Sequence, residues 1–204
     1  MIPRFRVAGI GHHTGTPEHI LNLLTDICYQ LAMNNGQLHT GNAKDCDQAC
    51  HLGFHNAIAA GLADVQSVQS FLPYLSYQKE FRESHYGVYH TPETQGEDLQ
   101  KQAEDIAKTV HPAWDNLSFF SRGMHIRNVY QAKGQDLNSP VDFVLCYTRD
   151  GASTGSETSI NTGGSATCIK VASAMGKPVF NLGKAGALEE FKKFMQANYS
   201  ISIT

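Results

Sequence analysis

Four segments of this chain carry residue types suited to holding a charged small molecule. Gly9-Ile10-Gly11-His12-His13-Thr14-Gly15 lies between an apolar run and a helical one. Glycines allow tight turns, and the free amides at a helix start accept a phosphate or other anion. The segment is not the GxGxxG dinucleotide fingerprint, so a phosphate loop and an ordinary turn both fit it. Gly41-Asn42-Ala43-Lys44-Asp45-Cys46-Asp47 is a second glycine-led loop entering a helix. Lys44 offers a positive charge, and Asp45 or Asp47 can accept from ribose hydroxyls; equally, Asp45 can cap the helix. Asn161-Thr162-Gly163-Gly164-Ser165-Ala166-Thr167 is the strongest anion cradle, two adjacent glycines flanked by hydroxyls. A flexible loop ending in a helix cap is its plainer reading. Arg127-Asn128 falls within a helix, where a buried arginine must be paired and can clamp a phosphate or carboxylate. A solvated helical arginine fits as well.

Metal and nucleophile chemistry leaves weaker signs. Cys46 and Cys50 share one helix face, and Asp47, His51 and His55 share another, but CxxC and HExxH are absent. No metal and no cofactor are expected. There is no GxSxG elbow, and Cys146, at a strand end, is expected to fill the core. No catalytic residue is assigned.

The elements that position these segments alternate along the chain. Arg6–Ile10 reads as a buried strand, followed by a helix with Thr16 as N-cap, Pro17 at its first position, and apolar residues at 20, 23, 24, 27 and 31. Asn34-Asn35-Gly36 should stop it. Residues 37–40 form a second strand, 44–61 a helix, and 66–72 a third strand. Residues 73–96, rich in Tyr and His, read as an irregular excursion from the core. Helices are expected over 97–110 and 116–133, a clear strand over 141–146, and a helix from Gly163 to about Met175. A last strand (179–182) and a terminal helix (186–197) complete the pattern. Such alternation predicts an α/β fold: a Rossmann-like parallel sheet with helices on both faces, in a single domain. Ligands then sit at the strand carboxyl ends, where loops 11–16, 41–44, 73–90 and 147–162 emerge.

Composition narrows the function classes. The 204 residues are 41% hydrophobic and 17% charged, with net charge −3. This fits a globular chain and disfavours nucleic-acid binding through a basic field. No apolar run is long enough to span a membrane. Five cysteines and no visible secretory leader point to a reducing, cytoplasmic setting.

Seven segments in order resemble the SLOG superfamily. It includes the DNA-processing protein DprA, the "Lonely guy" phosphoribohydrolases, and nucleotide-sensing domains of antiphage defence. The segments are Val7–Gly11 with Thr16-Pro17; His39–Asp47; His111-Pro112-Ala113-Trp114; Arg127-Asn128-Val129-Tyr130; Pro140–Val144 with Tyr147-Thr148; Thr162-Gly163-Gly164; and Gly176–Leu182. The chain is most similar to small single-domain DprA-like members, often phage-encoded. The resemblance implies a Rossmann-like fold with a nucleotide or phosphosugar at the strand ends. It implies phosphate binding at Gly163 and Gly164, and first-loop contacts from Gly11, His12 and His13. Relatives carry Ser-Arg where this chain has His12-His13, so a fixed positive charge is missing there. The enzyme branch carries a glutamate where this chain has Lys170. Lysine can neither stabilise an oxocarbenium-like transition state nor activate water. Glu157 is the one nearby replacement.

The expected function is therefore binding, without turnover, of a nucleotide, ADP-ribose-type or cyclic-nucleotide ligand; the resemblance implies that this sequesters an immune signal for a phage in its host's cytoplasm. The expected ligand residues are Gly11, His12, His13, Gly41, Asn42, Lys44, Asp45, Arg127, Asn128, Thr148, Thr162, Gly163, Gly164 and Ser165. Two other classes remain open. One is a phosphoribohydrolase-like enzyme. The other is single-stranded DNA binding through Tyr74, Tyr77, Phe81, Tyr86, Tyr89, Lys79 and Arg82, although nucleic acid and membranes are the less favoured partners. A homo-oligomer, dimer or tetramer, is expected through 73–96 or the 97–133 helices.

Overall fold

A computed structural model describes residues 2–204. Six strands form one sheet: β1 (Phe5–Gly11), β2 (Gly36–Thr40), β3 (Val68–Phe71), β4 (Val88–His90), β5 (Phe143–Tyr147) and β6 (Val179–Asn181). Their order is β4-β3-β2-β1-β5-β6, and every pairing is parallel. The chain builds outward from β1 to β4, then crosses back to lay β5 on the other side of β1. The strand order reverses between β1 and β5, the position at which open α/β sheets leave a crevice.

Among the described residues eight helices flank the sheet: α1 (Glu18–Met33), α2 (Cys46–Ala59), α3 (Lys79–Ser84), α4 (Pro92–Gln95), α5 (Glu97–Val110), α6 (Phe119–Lys133), α7 (Ala166–Ala174) and α8 (Ala187–Tyr199). Because side chains alternate across a strand, β1 feeds two cores. Phe5 and Val7 pack with Leu38, Val68, Phe143 and Leu145 under α1, α2 and α8. Ala8 and Ile10 pack with Phe71, Val144 and Cys146 under α5, α6 and α7. Each fully buried Leu or Phe contributes roughly 1.5–3 kcal/mol. Helix α1 buries Ile20, Leu24, Ile27, Cys28 and Leu31 on one stripe, and Asn35 ends the turn at φ 59°. Gly53 lets α2 lie against α1, since a Cβ there would sit 2.3 Å from the Thr25 carbonyl oxygen.

Three local expectations change. Thr16 is not the cap of α1. Pro17 occupies that position with extended ψ of 137° and no side-chain cap bond, while the Thr16 amide donates to the Asp45 carboxylate at 3.0 Å. Residues 73–96 are not irregular. They contain α3, the edge strand β4 and α4, the last starting with a reciprocal Thr91–Thr94 capping box. Finally, α7 begins at Ala166 rather than Gly163. Gly163 has φ 64° and ψ −151°, which an α-helix cannot contain, so residues 160–165 form a 3₁₀ approach.

Candidate functional site

Beyond the carboxyl ends of β1 and β5 lies a cleft of about 340 Å³. Its walls come from the loop after β1, the start of α2, one face of α6, Arg149, and the turn before α7. The predicted residues Gly11, His12, His13, Arg127, Asn128, Thr162, Gly163, Gly164 and Ser165 line it together. Three bonds hold the walls in register. The His12 amide donates to the Tyr147 carbonyl at 3.0 Å, the His12 Nε2 lies 2.8 Å from the Asn161 carbonyl, and the Ser165 hydroxyl donates to the Gly11 carbonyl at 2.9 Å. Gly11 must lack a side chain: a Cβ would stand 2.6 Å from both the Cys46 Sγ and the Tyr147 carbonyl oxygen.

The floor is built around Arg127, only 6% exposed. Its Nη1 donates to Asp47 Oδ2 at 3.2 Å. The same oxygen accepts from the Gly41 amide at 3.0 Å and from Gln131 Nε2 at 3.2 Å. Burial holds the Asp47 carboxyl above its ordinary value, against the opposing pull of Arg127, the Gly41 and Ala43 amides and Gln131. Gly41 makes room for the guanidinium, because a Cβ there would fall 1.3 Å from Nη1. The Arg127 Nε has no partner. Beside it, Asn128 Nδ2 donates to the Gly164 carbonyl at 2.8 Å, joining α6 to the glycine turn.

Five predicted ligand residues are not among those lining the cleft. Gly41 acts beneath it, as the space for Arg127. Asn42 is fully buried at φ 63°, and both atoms of its amide lack partners. Lys44 is exposed to solvent. Asp45 occupies the N-cap position of α2, but its side chain makes no capping bond and its carboxylate accepts instead from the Thr16 amide. Thr148 is buried in a knot, its amide donating to Asn181 Oδ1 at 3.0 Å and its hydroxyl to Asp150 at 2.8 Å. Burial opposes ionisation of Asp150, yet the hydroxyls of Ser159, Thr162 and Thr148 outweigh it and hold the carboxyl at about 2. The residue thereby staples the 148–162 loop.

Sequence reasoning missed Met124, Gln131, Arg149 and Ile160 as lining residues, and offered Asp45 or Asp47 for ribose hydroxyls without the pairing of Asp47 with Arg127. A signal existed for the helix: Met124, Arg127, Asn128 and Gln131 fall at i, i+3, i+4 and i+7, one stripe of α6. Glu157 also lies outside the lining. Its carboxylate accepts from the Ser153 amide and hydroxyl and from the Thr154 amide, and faces Lys184 at 3.5 Å. These contacts hold it at about 2. The Lys170 ammonium donates to the Val110 carbonyl at 2.9 Å, closing the end of α5. Among the described residues no three His, Cys, Asp or Glu side chains are grouped to hold a metal ion, and no helix is long and apolar enough to cross a membrane. No family model, curated protein or solved structure matches the chain.

Proposed function

We propose that the protein binds a phosphate-bearing, nucleotide-type ligand in this cleft and holds it without turnover. The observation that carries the reading is Arg127: a buried guanidinium, anchored on Asp47 through Nη1, that lines a cleft beside the Gly163-Gly164 turn. A phosphate oxygen is a natural partner for a guanidinium that lines a cleft. The Gly163-Gly164 turn lines the same cleft just ahead of the nine-residue α7, adding backbone amides and the positive end of a helix dipole. Met124 and Ile160 give the cleft an apolar lip against which a base can pack.

Retention without turnover rests on the carboxylates. Asp47 is the one carboxylate lining the cleft among the described residues, and it is engaged by Arg127, Gln131 and Gly41. Hydrolysis of a glycosidic bond needs a free acid or base beside the bond. A protein that captures a signalling nucleotide in this way lowers its free concentration, which is the logic of sequestration during phage infection.

Two measurements test the reading. Compounds released by heating purified protein are identified by mass spectrometry, and AMP, ADP-ribose and cyclic nucleotides are titrated calorimetrically. Arg127→Gln is expected to weaken the bound nucleotide tenfold or more, the worth of one charge-assisted hydrogen bond. Absence of any bound phosphate compound, or equal affinity in the variant, overturns the proposal.

A further inference from the structure

Residues 73–90 connect the cleft to a separate cluster of histidines. At the inner end, the Tyr77 ring lies 5.9 Å from the Arg127 guanidinium carbon, and Gln78 Oε1 accepts from Gln48 of α2 at 3.5 Å. At the outer end, two histidines of α2 grip the backbone of Tyr86. His51 Nε2 lies 2.8 Å from the Tyr86 carbonyl, and His55 Nδ1 accepts from the Tyr86 amide at 3.1 Å. His85 closes the group, its ring 4.7 Å from His55 and 5.9 Å from His51, stacked at 3.8 Å on Phe81.

We propose that residues 73–90 are a strap across the floor of the cleft, locked by this clasp of neutral imidazoles and released when the clasp is protonated. The lock needs neutral rings for a geometric reason. The Tyr86 amide points its hydrogen at His55 Nδ1, and a proton on that nitrogen turns an acceptor into a second donor. His51 uses its other nitrogen with the Ser70 hydroxyl of β3 at 3.3 Å, so it has no free site for a second proton without turning that hydroxyl.

The surroundings supply no counter-charge. From α2 come His51 and His55. From the strap come His85, Tyr86 and Tyr89, with Arg82 acting on Tyr89. From β3 comes only Ser70. Among the described residues no carboxylate pairs with any of the three imidazoles; Lys79 and Glu83 of the strap pair with each other in solvent. Burial first, then the neighbouring histidines, lowers His51 to about 4, against the pull of the Tyr86 carbonyl. Burial and His85 lower His55. Both groups sit below their unfolded value, so the clasp is fully formed above pH 6.5 and is lost as pH falls toward 4.

The consequence for ligand capture, the uncovering of Arg127 as Tyr77 leaves, rests on the cleft reading; the strap itself does not. Hydrogen exchange on the full chain without ligand separates the two. Peptides covering 76–90, followed at pH 7.5 and 4.5 and corrected for intrinsic exchange, are expected to lose at least tenfold protection at the lower pH. Peptides of β5, which report opening of the whole fold, should stay better protected than the strap at both values. His55→Gln with His85→Gln replaces two half-exposed rings by neutral amides, and should cut that loss at least threefold. Equal protection of the strap at both pH values overturns the proposal, as does an undiminished loss in the double variant or a strap no less protected than β5 at the lower pH. Failure of every nucleotide to bind would sink the cleft reading and leave this result standing.

Discussion

At the residue scale the floor of the cleft is an arginine made possible by two smaller residues. Gly41 gives it space, and Asp47 gives it a counter-charge out of water. Desolvating both ions costs more than a surface pair does, and the attraction between them offsets that cost only while both are present. Asp47→Asn keeps the shape and removes the charge, leaving Arg127 buried without its anion. It is expected to cost about 3 kcal/mol of stability, read by chemical denaturation. Adding Arg127→Met removes the stranded cation and should restore most of the loss, so that the two changes combine far below their sum. Full additivity in that cycle would show that the pair is not coupled.

At the element scale the glycine turn before α7 separates backbone need from ligand need. Gly163 holds φ 64° and ψ −151°, a combination nearly restricted to glycine, yet a Cβ there would touch nothing within 4 Å. Gly163→Ala therefore strains only the backbone. It should cost about 1–3 kcal/mol and weaken nucleotide binding together. Gly164→Ala, whose Cβ would meet only Asn128 Nδ2 at 3.9 Å, should leave the melting temperature unchanged. Equal stability losses in the two variants would show that the turn can take another conformation.

The same turn shows what the sequence conveys about elements. Glycine pairs and apolar periods marked the β1 loop, the α7 approach and the five strands read from sequence, because each has a local cause. Strand β4 was illegible. Val88-Tyr89-His90 is three residues long, and its strand character comes from pairing Gln69 with Val88 and Phe71 with His90 at the sheet edge. The role of Asp47 is hidden for a similar reason. Its partner Arg127 lies 80 residues away, and no local pattern reports a buried pair. Lys44 and Thr148 sit in strand-end loops, and that position says where a residue is and not which way it faces.

On the scale of the whole molecule, acid attacks the fold through histidines distributed over both faces of the sheet. Burial, reinforced by Arg6, lowers His39 on β2 to about 3, and burial lowers His51 on α2 to about 4. Burial, with His111 and Arg127, lowers His125 on α6 to about 4. Each has a folded value below its unfolded 6.5, so each contributes stability that is complete above pH 6.5 and lost as pH falls through the folded value. For the fully buried pair, His39 and His51, the slope is about 1.4 kcal/mol per pH unit each. Carboxylates enter later and add to the fall: Asp150 moves from 3.8 unfolded to about 2 folded, so its contribution disappears only between those values. Urea titrations should therefore show a plateau above pH 6.5 and a decline of about 3 kcal/mol per pH unit between 6 and 4.5. His39→Phe keeps a ring edge-on to Phe71, now 5.6 Å away, and removes a buried Nδ1 that lacks a partner. That variant should match the native stability at pH 7.5 or exceed it, and decline less steeply. A native profile flat from pH 7.5 to 5 would mean that these rings stay neutral in the unfolded chain too, or reach water in the folded one.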